Sequence, residues 1–199
     1  MQELVVKRSR LLDRINIKAL AKGVAISLGI TSLYILICYA NPALAKSAMG
    51  GFVFGKTLRL ANILRAFSLI SPGGAIGVAL GAWYFNVLTG TVGLSFGYLV
   101  LPFAHLGGGL TVHFISKKVG RSFFKDLLLL GTYGLFMGIV ITLHLTSLAI
   151  FVKGETWSAL FTAAAATKIS SNIIITMMGY PLIRGWEKVI GRGRDIVNE

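Results

Sequence analysis

Residues 25 to 40 read AISLGITSLYILICYA, and this stretch decides the class of fold. It contains no charged side chain, and it forms the greater part of an apolar run over residues 19–40 that ends before Asn41 and Pro42. A helix of about 20 such residues spans the roughly 30 Å hydrocarbon core of a bilayer. We therefore predict that this run crosses a membrane.

The composition of the whole chain agrees with a membrane location. Of its 199 residues 55% are hydrophobic and 14% are charged, and the mean hydropathy is +0.76. Ordinary globular proteins have about 25% charged residues. No acidic residue lies between Arg14 and Lys125, which argues against carboxylate-dependent catalysis, and the single cysteine, Cys38, excludes an internal disulfide or a cysteine metal cluster. We predict an all-α integral membrane protein that is not an enzyme and needs no cofactor.

Five further apolar runs follow the first one. They cover residues 53–70, 73–89, 93–115, 126–151 and 157–182. The chain is thus expected to form a bundle of about six transmembrane helices. An even number is better supported than six itself, because the second and third runs are short and rich in glycine. Alternatively, the basic leader, the first run and the sequence Ala43-Leu44-Ala45 could form a signal peptide, but the run is longer than a usual signal-peptide core.

The basic residues fix the expected orientation. They form three clusters, at residues 7–22, 117–125 and 184–194. An excess of Lys and Arg marks cytoplasmic loops. The chain is therefore expected to span the cell membrane several times, with both termini in the cytoplasm. The net charge of +13 then gives no reason to expect nucleic acid as a partner. The predicted organisation is one membrane domain, with a basic N-terminus (1–18), a helical bundle (19–183) and a cytoplasmic tail (184–199).

Two short motifs resemble enzyme signatures. GGFVFGKT, Gly50 to Thr57, fits the nucleotide-binding P-loop pattern, but a P-loop follows a β-strand and needs an acidic partner for magnesium. GLSFG, Gly93 to Gly97, fits a serine-hydrolase elbow, which needs a strand, a turn, a helix and an orienting carboxylate. An intramembrane serine hydrolase that uses Ser95 with His105, His113 or His144 is kept as an alternative. The histidine spacing is not typical of a zinc site, and no metal is expected.

Polar residues at membrane depth indicate a binding pocket, because they are costly in hydrocarbon. In the six-span arrangement several of them share the outer half of the bundle with aromatic side chains. Arg65 is a further polar residue at membrane depth. The alternative is that the cations extend to the interface and the aromatics form an interfacial belt. The predicted substrate-binding residues are Arg59, Asn62, Trp83, Asn86, Ser95, Tyr98, Trp157, Lys168 and Asn172.

Small residues spaced four apart form a strip in the first run, at Ala21, Ala25 and Gly29. Such a strip lets a second helix approach closely, either within the bundle or from another protein. A second strip, Gly77 and Gly81, lies between runs that are joined by short loops. We expect that second strip to pack inside the bundle.

The segment from Phe54 to Lys118 resembles the substrate-binding S components of energy-coupling factor (ECF) vitamin transporters, most closely the QueT group linked with queuosine precursors. The matching residues are Phe54, Gly55, Arg59, Gly77, Gly81 and Asn86, with Lys168, Asn172, Gly179, Tyr180 and Pro181 in the last helix. One difference is that Ala61 and Asn62 stand where the group has serine and glutamate. The loss of that carboxylate favours a neutral or anionic ligand over a cationic one.

The resemblance implies a six-helix S component that captures a small heteroaromatic micronutrient, such as a deazapurine or a vitamin, from outside the cell. It also implies docking through Ala21, Ala25 and Gly29 on a membrane coupling protein with two cytoplasmic ATPase subunits. GGFVFGKT would then be an outer loop, and nucleotide would bind to the partner chains. A helper subunit without a ligand is a further alternative.

Overall fold

The computed structural model describes residues 17–47, 60–89, 97–153 and 163–197, and all regular secondary structure in these ranges is helical. Six α-helices and one 3₁₀ helix make up the described chain. The α-helices are α1 (Ile17–Ser47), α2 (Pro72–Thr89), α3 (Gly97–Val119), α4 (Phe123–Lys153), α5 (Ala163–Met177) and α6 (Tyr180–Val197). The 3₁₀ helix is Leu60–Leu69. The predicted all-α fold is confirmed for the described residues.

The 3₁₀ helix is the centre of the structure. It contacts all six α-helices, and its residues from Ala61 to Leu69 are buried apart from the half-buried Ile63. A 3₁₀ helix has three residues per turn, so side chains three positions apart lie on the same face. At about 2 Å per residue it is roughly 20 Å long, which is shorter than the hydrocarbon core of a bilayer.

Glycines allow α1 and α2 to pack closely. Gly73, Gly77 and Gly81 recur at every fourth residue of α2 and face α1. A Cβ atom on Gly77 would lie 2.6 Å from the backbone oxygen of Ser27, and one on Gly81 would lie 2.7 Å from Cβ of Tyr34. The prediction that Gly77 and Gly81 pack inside the bundle is confirmed.

A second close contact joins α4 and α5. A Cβ atom on Gly134 would lie 2.6 Å from Cα of Ile173, and one on Gly138 would lie 2.8 Å from Cα of Ile169. The backbones of the two helices therefore approach closely at two positions one turn apart. No larger residue at Gly134 or Gly138 fits without moving α5.

The turn between α3 and α4 has clear local causes. Gly120 has φ of +74°, the left-handed conformation with which many helices end. Ser122 caps α4, since its Oγ accepts a hydrogen bond from the backbone N–H of Lys125 at 3.4 Å. Arg121 Nε donates to both oxygens of Asp126 at 2.8 Å, which fixes the start of α4. Asp126 also suits the positive end of the helix dipole.

The boundaries differ from the sequence prediction in three places. Helix α1 continues through Pro42 to Ser47, because a proline removes one helical hydrogen bond without always ending the helix. The second predicted span is described only from residue 60 onward, and there it forms the 3₁₀ helix. The last one ends at Met177, and after a turn at Met178 and Gly179 the chain continues as α6.

Two of the described helices are long and apolar enough to cross a membrane by length and composition. The spanning stretches are Ile17–Ala40 of α1 and Phe123–His144 of α4, each with a mean hydropathy of 1.9. Of the six predicted spans, two therefore contain a stretch that meets this test among the described residues. The other helices are shorter or more polar.

We predict that Gly81→Ala lowers the stability of the protein by about 1–3 kcal/mol, the usual cost of overpacking. The added methyl group would clash with Tyr34 close to its backbone, where the side chain cannot turn away. Gly29→Ala is the matched control, since a Cβ there has no atom within 4 Å. Thermal unfolding in detergent measures both variants, and equal melting temperatures would contradict the packing described here.

Candidate functional site

A stripe of polar side chains runs along the central 3₁₀ helix. Asn62, Arg65 and Ser68 are three positions apart, so they share one face of the helix. They are 5%, 0% and 0% exposed. Buried polar groups are costly unless they are hydrogen-bonded, and a buried charge is more costly still. This stripe therefore places one charged and two neutral polar side chains in the buried centre of the protein.

Arg65 is bound by two neutral oxygen acceptors on α5. Its Nη1 donates to Oδ1 of Asn172 at 2.8 Å and to Oγ1 of Thr176 at 3.2 Å. Its guanidinium carbon also lies 5.8 Å from the centre of the Tyr133 ring, within the range of a cation–π contact. The cation is thus held by dipoles and by an aromatic face.

The hydrogen bonds of α5 orient these acceptors toward Arg65. The side-chain amide of Asn172 donates to the backbone oxygen of Lys168 at 2.8 Å, so its own oxygen faces the guanidinium. The hydroxyl of Thr176 donates to the backbone oxygen of Asn172 at 2.7 Å, which leaves its lone pairs free to accept. Both groups are therefore preset as acceptors.

Two buried tyrosines complete the cluster on its other sides. The hydroxyl of Tyr34, on α1, donates to Oδ1 of Asn62 at 3.1 Å. The hydroxyl of Tyr133, on α4, donates to the backbone oxygen of His105 on α3 at 2.7 Å. We call the set Tyr34, Asn62, Arg65, Tyr133, Asn172 and Thr176 the Arg65 cluster. It joins the 3₁₀ helix to α1, α4 and α5.

His113 lies next to the cluster. Its Nδ1 is 3.2 Å from the backbone oxygen of Ser68, and its side chain is 2% exposed. Within the described part of the chain, its Nε2 atom is buried and has no hydrogen-bond partner. The polar region therefore has a ring nitrogen that the packing of the helices does not use.

The structure places the predicted site residues at different locations. Asn62 and Asn172 come together in the Arg65 cluster, and Lys168 is half-buried one turn before Asn172. Trp83 is 44% exposed on α2. Asn86 and Tyr98 belong to α2 and α3, but their side chains lie outside the described residues, as do Arg59, Ser95 and Trp157 altogether.

Four members of the cluster were not among the predicted site residues: Tyr34, Arg65, Tyr133 and Thr176. A signal for Arg65 exists in the sequence. Polar residues occur at every third position at Arg59, Asn62, Arg65, Ser68 and Ser71. This period fits a 3₁₀ helix and not an α-helix of 3.6 residues per turn. The tyrosines give no comparable signal, because a tyrosine in an apolar run is ordinary.

The described residues do not include either of the two enzyme-like motifs in full. GGFVFGKT and Ser95 lie outside the described residues, while His105 and His113 are buried in α3. Among the described residues there is no group of three or more His, Cys, Asp or Glu side chains that could hold a metal ion. Comparisons of the chain with protein-family models, with curated protein sequences and with solved structures gave no match.

We predict that Arg65 and Asn172 are energetically coupled. A double-mutant cycle of Arg65→Ala and Asn172→Ala should give an interaction free energy of about 0.5–3 kcal/mol, as expected for residues in direct contact. The free energy of unfolding of each variant in detergent provides the cycle.

Ser170→Ala is the matched control on the same helix. The Ser170 side chain is exposed and donates to the backbone oxygen of Ala166, so its cycle with Arg65 should show no coupling. Equal coupling of Ser170 and Asn172 to Arg65 would disprove the contact.

Proposed function

We propose that this chain is a multi-pass integral membrane protein of the cell membrane. Its two long apolar helices support a membrane location because only 22% of the spanning stretch of α1 and 33% of that of α4 is buried inside the protein. The core helix of a soluble protein would be mostly buried. Large apolar side chains instead point outward, among them Leu36 of α1, Phe103 of α3 and Leu128 of α4, each at least 66% exposed. Such a surface fits lipid better than water.

Within the membrane we propose the role of a substrate-binding subunit of an ECF-type importer. The observation that supports this role most is the Arg65 cluster, a charged and polar centre in an apolar bundle. Polar side chains at membrane depth are retained where they bind a substrate or line its path. Two of the residues predicted from sequence to bind the ligand, Asn62 and Asn172, belong to this cluster.

The chemistry of the cluster favours a small neutral or anionic heteroaromatic ligand, such as a deazapurine or another vitamin-like compound. The amides of Asn62 and Asn172 each have a donor and an acceptor, which match the N–H and C=O edges of such a ring. Arg65 adds a planar set of N–H donors. A cationic ligand would need a carboxylate partner. The two carboxylates whose side chains are described, Asp126 and Glu187, are both paired with Arg121.

Ligand binding at the cluster requires an exchange of hydrogen bonds. Asn62 now accepts from Tyr34, and Asn172 accepts from Arg65. A ligand would replace these partners with its own donors, at little net cost in hydrogen bonds. Because the cluster is closed, the exchange also requires the helices around it to separate. The predicted residues Arg59, Trp83, Asn86, Ser95, Tyr98, Trp157 and Lys168 would line the outer approach.

The first helix provides a surface for the coupling protein of such an importer. Ala21, Ala25 and Gly29 are exposed, and a Cβ on Gly29 would meet no atom within 4 Å. On the neighbouring face of α1, an apolar groove of about 710 Å³ lies between α1 and α2, lined by Val24, Leu28, Ile76 and Leu80 among others. We propose that a membrane coupling protein docks here, and that its two cytoplasmic ATPase subunits supply the energy.

Native mass spectrometry of the purified protein tests the function. We expect a vitamin-like small molecule to leave the protein on denaturation, or a member of a panel of purines, deazapurines and vitamins to raise its melting temperature. Asn172→Ala and Asn62→Ala should each weaken binding at least about tenfold, which corresponds to the loss of about 1.4 kcal/mol.

Ser170→Ala is the control variant and should bind the ligand like the unmodified protein. The melting temperature of each variant without ligand separates a loss of binding from a loss of folding. A folded protein that binds no member of the panel and contains no small molecule would refute the proposal.

A further inference from the structure

Helix α6 has an apolar side that the bundle covers only in part. Ile183 is fully buried, whereas Leu182, Trp186 and Val189 are 43%, 43% and 67% exposed. Leu182, Trp186 and Val189 are four and three residues apart, so they form one strip along the helix. The opposite side has Arg184 and Lys188, both exposed. The helix is therefore amphipathic over these residues, and a large part of its apolar side is exposed.

The first turns of α6 are fixed to the bundle by polar and aromatic contacts. Glu187 accepts from Arg121 at 3.0 Å and from Arg184 at 3.3 Å. The rings of Phe123 and Tyr180 are 5.4 Å apart at their centres. These contacts hold α6 beside the turn between α3 and α4. The strip of apolar side chains thus keeps a defined direction relative to the bundle.

A second aromatic contact joins α6 to the centre of the protein. The ring of Trp186 lies 6.0 Å from the ring of Phe67 with an interplanar angle of 75°, an edge-to-face arrangement. Phe67 belongs to the 3₁₀ helix that also contains Arg65. Trp186 therefore packs with one edge on the bundle while a large part of its ring is exposed.

The end of the bundle around α6 has a surplus of positive charge. Lys117, Lys118, Lys125, Arg184 and Lys188 are exposed there. The carboxylate of Asp126 is paired with Arg121, and that of Glu187 is shared between Arg121 and Arg184, so the lysines listed here have no carboxylate partner among these two residues. Beside these cations, Phe123 and Phe124 are 52% and 80% exposed. Exposed aromatic residues next to lysine and arginine are typical of a surface at the level of lipid headgroups.

We propose that α6 lies in the plane of the membrane interface and binds anionic phospholipid. Leu182, Trp186 and Val189 enter the boundary between headgroups and acyl chains, and Arg184 and Lys188 bind phosphate groups. The inference rests on the membrane location proposed above, but not on any ligand of the Arg65 cluster. Basic residues beside an interfacial helix attract the anionic lipids of the cytoplasmic leaflet.

Depth-dependent fluorescence quenching tests the position of α6. The full-length chain with Trp83→Phe and Trp157→Phe keeps Trp186 as its single tryptophan. In nanodiscs made with brominated phospholipids, we expect bromines near the carbonyl end of the acyl chain to quench Trp186 more than bromines near the methyl end. Adding Val189→Asp should reduce the quenching. Equal emission with brominated and ordinary lipid would overturn the proposal.

Lipid retention tests the preference for anionic headgroups. Native mass spectrometry of protein from nanodiscs of mixed phosphatidylglycerol and phosphatidylcholine should show preferential retention of phosphatidylglycerol. Removing charge with Arg184→Gln and Lys188→Gln should weaken this retention about fivefold per charge. The matched control, Arg184→Lys with Lys188→Arg, keeps both charges and should retain the lipid.

Equal retention of the two lipids by the unmodified protein would overturn the lipid preference. Neither experiment uses a ligand of the Arg65 cluster, so its failure is distinguishable from failure of the proposed transport function. If brominated lipid does not quench Trp186 but a protein partner shields it from solvent, the surface belongs to that partner and not to lipid.

Discussion

The guanidinium group of Arg65 is the constraint on which the rest of the structure depends. A charged side chain with no exposed surface loses its hydration entirely, so the protein must supply oxygen dipoles at hydrogen-bonding distance. Asn172 and Thr176 do so from consecutive turns of α5, and the ring of Tyr133 covers the cation from α4. The position of α5 relative to the 3₁₀ helix is thereby fixed to within the tolerance of a hydrogen bond.

The glycine contacts make this arrangement possible. Gly134 lets α5 approach α4 at the level of Asn172, and Gly81 lets α1 approach α2 at the level of Tyr34. Asn172 binds Arg65, and Tyr34 binds Asn62, so each close backbone contact delivers one polar side chain to the 3₁₀ helix. The close van der Waals contact between the helices therefore also sets hydrogen-bond distances. The hydrogen bonds of the polar cluster therefore depend on the close helix contacts that the glycines allow.

Sequence could predict the helical class, the apolar runs and the internal strip Gly77 and Gly81, because each depends on residue type and local spacing. Hydrophobicity alone could not predict that the described part of the second run is a 3₁₀ helix, because it does not distinguish helix types. The three-residue spacing of Asn62, Arg65 and Ser68 is the sequence signal for this helix type. Asn62 and Asn172 are predicted from their polarity at the expected membrane depth, and Asn172 also from the resemblance to S components. Tyr34 and Tyr133 join them through contacts between residues distant in sequence, which no local pattern contains.

The 3₁₀ helix also connects the two regions for which functions are proposed, the Arg65 cluster and helix α6. Arg65 and Phe67 are two residues apart, and they contact α5 and α6 respectively. If the ten-residue 3₁₀ helix moves as one unit, a shift at Arg65 also displaces Phe67. A shift of the whole 3₁₀ helix that opens the Arg65 cluster would therefore either move Trp186 or break its contact with Phe67. Arg121 also holds α6 through Glu187, so the Phe67 contact is the one lost if the 3₁₀ helix shifts while α6 stays in place.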